Sequence, residues 1–337
     1  MKAVAYLDSL PVEHPEALLD VELPEPVPGP RDLLVEVRAI SVNPVDTKVR
    51  RNTQPEPNQP KVLGWDVAGV VVAVGSETSL FKVGDEVFYA GSIARAGANS
   101  ERHLVDERIV GRKPRSLDFA EAAALPLTAI TAWELLFERL QLVEGQGAGQ
   151  QLLIVGAAGG VGSIMLQLAR QLTEVSVIAT ASRPETQAWA RELGAHHVID
   201  HSQPLHGELQ RAGFASVSHV ASLTQTDRHF DQVVEALAPQ GRLGLIDDPA
   251  QALDVMKLKR KSLSLHWELM FTRSLFETPD MITQHRLLQR VSALVDEGVL
   301  RTTLGEHFGT INAANLRRAH ALLESGKAKG KIVLEGF

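Results

Sequence analysis

The sequence predicts an α/β fold: a β-rich first part, then a doubly wound parallel sheet. Three observations carry this expectation. The apolar run Leu152-Leu153-Ile154-Val155 ends in a glycine cluster, Gly156-Ala157-Ala158-Gly159-Gly160-Val161-Gly162, and a helical pattern follows at once. From about residue 123 strand and helix patterns alternate. Before that point the chain is rich in strand patterns and punctuated by proline.

The first part is justified by period and by breakers. Residues 33–40 alternate partly, as a half-buried strand does. Residues 67–75 make a second strand, and 83–88 a turn followed by a strand. Pro24 to Pro30 and Pro55 to Pro60 are loops, because proline cannot join a central ladder. Residues 120–125 and 130–136 are helical in composition and period.

In the second part, strands are expected at 151–155, 175–180, 197–199, 218–221 and 241–245. Helices fall between them, including 185–193, which ends at Gly194, and 230–237. Such alternation means βαβ units. Glycines let the backbone turn tightly and admit a pyrophosphate, and the helix N-terminus offers free N–H groups and a positive dipole end. The glycine cluster therefore reads as a dinucleotide loop. A long helical stretch at 281–297 precedes a tail, 331–334, expected to return partly to the first part. The resulting divisions are 1–122, 123–265 and 266–337.

Composition bounds the function. The chain has 337 residues, 44% of them hydrophobic and 22% charged, which suits two domains with sizeable cores. A formal net charge of -7 argues against a nucleic-acid binder, which needs a basic face. By this reading no apolar run approaches the roughly 20 residues of a bilayer span, so no membrane role is expected. The start, Met1-Lys2-Ala3-Val4-Ala5-Tyr6, reads as a strand and not as a signal peptide. Cysteine is absent, which fits a cytoplasmic location and removes thiolate ligands.

Several segments together resemble the medium-chain dehydrogenase/reductase superfamily over essentially the whole length. They are Asn43-Pro44-Val45-Asp46, Gly64-Trp65-Asp66-Val67-Ala68-Gly69, Val83-Gly84-Asp85-Glu86-Val87, the glycine cluster and Gly330-Lys331-Ile332-Val333-Leu334. The likeness is greatest to the zinc-free quinone-oxidoreductase branch, in a subgroup often called zinc-type alcohol dehydrogenase-like. It implies a GroES-like catalytic domain with a Rossmann domain inserted in it, and a homodimer. Zinc relatives carry a cysteine ligand where Asn43 stands and a histidine where Trp65 stands. No metal is therefore expected, and His196, His197 and His201 do not suggest another site, because strand neighbours point to opposite faces.

The cofactor expected is NADP(H). An NAD enzyme usually holds the ribose with an acid about 20 residues past the glycines. Here that place reads Thr180-Ala181-Ser182-Arg183, with no carboxylate before Glu185. Arg183 offers a planar, permanently charged fork for a 2′-phosphate, and Ser182 can donate beside it. Otherwise Arg183 is a solvated charge at a helix start, where the dipole disfavours it. His201 replaces a tyrosine of related quinone oxidoreductases. Ala158, Gly159, Gly160, Val161 and Gly162 form the loop, and family position adds Thr131, Ser222, Thr224 and Asp247 as cofactor contacts. Lys331 reads as a strand-edge lysine in preference to a cofactor contact.

Without a metal, hydride transfer to a quinone or an α,β-unsaturated carbonyl is easier than alcohol–ketone exchange, since charge collects on an oxygen that the protein must stabilise. Asn43 is the expected donor to that oxygen, or else a loop-stabilising side chain. Lys48 could add positive charge, Asp46 reads as structural, and Trp65 is either an apolar wall or core. Two alternatives stand beside this reading. One is an enoyl-thioester reductase, with Met270 and Phe271 bordering an acyl tunnel; the other is a nucleotide-bound sensor with little turnover.

Overall fold

A computed structural model describes all residues from Met1 to Phe337. The chain forms two compact units, Met1–Ile130 with Phe271–Phe337, and Thr131–Met270. The breaks lie later than the expected 122 and 265; at the first of them the helix after 118 packs on strands of the first unit.

The first unit begins with β1 (Lys2–Tyr6), β2 (Leu19–Glu22), β3 (Asp32–Val42), α1 (Pro44–Asn52), β4 (Lys61–Val62), β5 (Val67–Val74), β6 (Glu86–Tyr89), β7 (Arg102–Asp106), β8 (Val110–Arg112), α2 (Phe119–Ala123) and the start of α3 (Pro126–Trp133). The second unit contains β9 (Gln151–Val155), α4 (Gly160–Leu172), β10 (Ser176–Thr180), α5 (Pro184–Glu192), β11 (His197–Ile199), α6 (Leu205–Arg211), β12 (Val217–Ser222), α7 (Thr226–Ala236), β13 (Leu237–Leu245) and β14 (Ser264–Trp267). The chain then completes the first unit with α8 (Thr272–Leu275), α9 (Ile282–Asp296), β15 (Leu304–His307), α10 (Ala313–Glu324) and β16 (Lys331–Glu335).

In the first unit β2-β1-β4 form a small sheet, and β15-β16-β3-β5-β6-β8 form a larger one, with β7 also paired to β3. The tail does return: β16 runs antiparallel to β3, with Ile332 opposite Val42. β16 lies between β15 and β3, so it is not an edge strand.

In the second unit six parallel strands follow the order β11-β10-β9-β12-β13-β14. The order reverses between β9 and β12, and such a reversal opens a crevice at the carboxyl ends of the strands. Leu153, Val155, Val220, Leu243, Phe230 and Val233 bury the face that carries α7. The amphipathic α7 covers that face because its apolar residues recur three and four apart.

The expectation that no apolar run approaches a bilayer span does not hold. The segment Phe119–Arg139 has 21 residues and a mean hydropathy of 1.2, so by length and composition it could cross a membrane. Of its apolar window 83% is buried inside the protein, and Pro126 separates α2 from α3 within it. Its apolarity is that of core helices. The helical pattern after Ile130 also changes pitch, passing into a π-helical turn at Glu134–Arg139.

Candidate functional site

The second unit gathers most of the expected cofactor residues along one edge. The loop 156–162 follows β9, Ser182 and Arg183 follow β10, His201 follows β11, Ser222 and Thr224 end or follow β12, and Asp247 follows β13. Parallel strands in register bring their carboxyl ends level, with Ser222 opposite both Val155 and Leu245.

The loop depends on glycine at two points. Gly156 has φ +83°, and a Cβ there would meet Thr224 Cγ2 at 2.8 Å. A Cβ on Gly162 would lie 2.5 Å from the carbonyl oxygen of Ala157, so the helix could not pack this close to the turn. Gly156 N–H donates to Thr180 Oγ1 at 3.1 Å, which ties the loop to the end of β10. Thr180 was not among the expected residues. Gly159 caps α4 with no side-chain hydrogen bond, and Gly159, Gly160 and Val161 remain partly exposed. An uncapped, accessible helix start suits an anionic group.

Arg183 is partly exposed at the start of α5, and its Nε lies 3.2 Å from Glu185 Oε1. His201 packs edge-on against His229, with ring centroids 6.0 Å apart. Burial pushes both imidazoles below their usual pKa, and Nδ1 of each is buried with no hydrogen-bond partner. Neutral rings with polar atoms left over suit a site that a ligand completes.

Ser222 stands back from the surface, and Asp247 is half-buried. Ser222 is fully buried and its hydroxyl is 2.8 Å from Thr226 Oγ1. Asp247 accepts from Thr226 N at 2.9 Å and from the Thr226 hydroxyl. Both expected contacts therefore converge on Thr226, which the sequence reading missed. Thr131 is buried on α3, and Thr224 is exposed.

The first unit holds a buried charge cluster. Asn43 precedes α1, whose first residue is Pro44, and Asp46 Oδ2 accepts the Asn43 N–H at 2.6 Å. Asp46 Oδ1 accepts from Gly64 N at 2.9 Å, so Asp46 is structural as expected. Burial pushes its carboxyl up to about 7. Asp66 is fully buried and accepts from Asn43 Nδ2 at 2.9 Å, Lys331 Nζ at 2.8 Å and Leu127 N at 2.8 Å. Burial pushes the Asp66 carboxyl up, and Lys331 pulls it back. Lys331, 3% exposed, also donates to Val42 O at 3.1 Å and to Asn43 Oδ1. It is a core cation, and the edge-lysine expectation fails because β16 is an interior strand.

This geometry also revises Asn43. Its side chain is 1% exposed, its amide N–H groups face Asp66, Ser41 O and Trp65 O, and its carbonyl accepts from Lys331. The amide is committed inside the protein, so direct donation to a substrate oxygen does not fit. Of the two readings given for Asn43, the loop-stabilising one fits. Lys48 sits half-buried on α1. Trp65 is core: 1% exposed, with its indole N–H on Ser92 O at 3.2 Å and its ring edge-on to Phe271. Met270 and Phe271 are likewise buried.

A zinc ion does not fit the residues present. No three His, Cys, Asp or Glu side chains converge to hold one. Asp66 is neutralised by Lys331, and the Asp46 oxygens are taken by backbone N–H groups.

Known proteins bear on both units. Residues 29–127 match the alcohol dehydrogenase GroES-like domain family, and residues 193–334 match the zinc-binding dehydrogenase family. A zinc-type alcohol dehydrogenase-like protein of Staphylococcus aureus is 37% identical over 337 residues, covering 99% of both chains. A crystal structure from Rhizobium etli, described as a "putative zinc-dependent alcohol dehydrogenase protein", is 60% identical with a TM-score of 0.96, covering 100% of this chain and 98% of that one. Escherichia coli quinone oxidoreductase, crystallised with NADPH, is 26% identical with a TM-score of 0.85, covering 99% and 100%.

Proposed function

Because the chain belongs to the medium-chain dehydrogenase/reductase superfamily, on its quinone-oxidoreductase-like side, we propose that it is an NADPH-dependent, metal-free reductase of a quinone or an α,β-unsaturated carbonyl. The observation that carries this reading is the carboxyl edge of the parallel sheet, where an uncapped helix start follows β9 and Arg183 follows the neighbouring β10, with no acid before Glu185. The NADPH complex of the Escherichia coli neighbour supports it.

NADPH, when bound, supplies the hydride. The chain's own residues bind and orient. The N–H groups at the start of α4 face the pyrophosphate, with Ala158 to Gly162 shaping the approach. Arg183 and Ser182 take the 2′-phosphate, and His201 borders the adenosine end. Thr224 and Thr131 complete the contacts, while Ser222 and Asp247 act through Thr226. In the first unit Asn43, Asp66 and Lys331 hold the turn from which α1 starts, and α1 carries Lys48 as the cation for the substrate oxygen. A homodimer follows from the resemblance, and a cytoplasmic location rests on the absence of cysteine.

The test is NADPH oxidation across quinones, enones and enoyl thioesters, with NADH as control. Turnover with quinones or enones is expected. Arg183→Glu should weaken NADPH binding about tenfold or more and NADH binding little. Equal losses for the two cofactors overturn the assignment of Arg183.

A further inference from the structure

A cavity of about 330 Å³ lies in the second unit, lined in part by Gln141, Gln150, Ser218, His219, Gln240 and Arg242. Ser218 and His219 sit near the amino end of β12, where His219 pairs with Leu152 of β9 and with Arg242 of β13. The glycine loop leaves the opposite, carboxyl end of β9. The cavity is therefore separate from the proposed dinucleotide edge, and its volume falls in the range of small-molecule sites.

Its polar groups are arranged in a definite protonation pattern. Ser218 Oγ donates its one hydrogen to Gln151 O at 2.8 Å and accepts from Gln151 N at 2.9 Å. The 2.9 Å contact between Ser218 Oγ and His219 Nδ1 must then have the ring nitrogen as donor. That fixes the tautomer and leaves His219 Nε2 as a bare acceptor, which makes no hydrogen bond inside the protein and is not sealed from solvent. Burial, with Arg242 nearby, pushes the His219 pKa down to about 4, so the acceptor persists at neutral pH.

Arg242 supplies the complementary charge. Its guanidinium donates to Gln141 Oε1 and is in no ion pair with a carboxylate of the chain. Two of the residues lining the cavity hold left-handed backbone, Gln141 at φ 57° and Gln240 at φ 65°. Neither is the glycine or asparagine that this region favours, and such strain gathers where side chains are held for a purpose.

We propose that this cavity is a second ligand site, one that takes a small carboxylate bearing a hydroxyl group: Arg242 binds the carboxylate and His219 Nε2 accepts from the hydroxyl. A guanidinium with no carboxylate partner selects an oxyanion, and an acceptor that cannot donate selects an O–H beside it.

Calorimetric titration of the full chain with glycerate, and with propionate as the hydroxyl-free comparison, tests the proposal. Glycerate should bind about fivefold tighter or more than propionate. Arg242→Gln should weaken glycerate about tenfold, His219→Phe should bring glycerate to the level of propionate, and saturating NADPH should leave glycerate affinity unchanged. The comparison of the two ligands needs no variant, so a misfolded variant leaves it intact. Absence of glycerate binding, equal binding of the two acids, indifference to Arg242→Gln, or displacement of glycerate by NADPH each overturns it.

Discussion

Lys331 is the residue on which the first unit's charge balance turns. Its ammonium donates to two side chains and a carbonyl, and the carboxylate it neutralises is sealed from water. Replacing it with methionine keeps the length of the side chain but strands Asp66 as a buried anion. Breaking one side of such a pair typically costs about 3–5 kcal/mol. Lys331→Met should therefore lower unfolding stability by about that amount in urea titration. The double variant with Asp66→Asn should recover part of the loss, because no uncompensated charge then remains. A loss under about 1 kcal/mol for Lys331→Met would mean that water reaches the pair.

At the scale of elements, α7 shows how a site residue can act through a helix end. Gln225, the residue before α7, has left-handed backbone with φ 50° and makes no side-chain cap. The cap comes instead from Asp247, beyond the end of β13, through Thr226. A carboxylate at this position satisfies a free N–H and meets the positive end of the dipole. Asp247→Ala should cost about 1–2 kcal/mol and speed amide exchange in the first turn of α7 before the rest of the helix. In the first unit α1 and α10 are joined in a similar way by buried polar groups. Arg50 Nε donates to His320 Nδ1 at 3.3 Å, and its guanidinium also pairs with Glu324.

Across the whole molecule, buried histidines set the response to acid. Burial pushes His103 and His219 down to about 4 and His320 down to about 3. Below pH 6.5 the unfolded chain takes up protons at these positions and the folded chain does not, so stability is present above pH 6.5 and is lost as pH falls toward 4 and 3. Asp46 works the other way: its raised carboxyl favours the folded state at low pH and gives up that contribution as pH rises through about 7. Asp66, whose carboxyl burial also raises, acts in the same sense as Asp46, but the lowered histidines, His201 and His229 among them, outnumber these acids, and stability measured by denaturant should fall on going from pH 7 to pH 5. Each histidine contributes a slope of up to about 1.4 kcal/mol per pH unit. His320→Gln should flatten the curve between pH 6 and 4; an unchanged slope would mean the ring is protonated in the folded protein.

Local pattern determined much of this protein. The strands at Gln151–Val155 and His197–Ile199 have the bounds their composition predicts; the first is a buried parallel strand, a short apolar run closed by breakers, and the second lies at the sheet edge. The glycine turn, the lack of an acid before Glu185, and the absence of zinc-ligating residues at Asn43 and Trp65 are likewise properties of neighbouring or identified positions. The length of the apolar helical run at Phe119–Arg139 was also present in the sequence, but its burial was not. Tertiary structure alone decided the pairing of Asn43, Asp66 and Lys331, the convergence of Ser222 and Asp247 on Thr226, and the tautomer of His219. The physical reason is separation along the chain. Lys331 meets Asp66 across 265 positions because β16 enters the sheet beside β3, and periodicity carries information only over a few turns or one strand. Side-chain chemistry could be listed from the sequence; which groups neutralise one another, and which are left to meet a ligand, was settled by strand order.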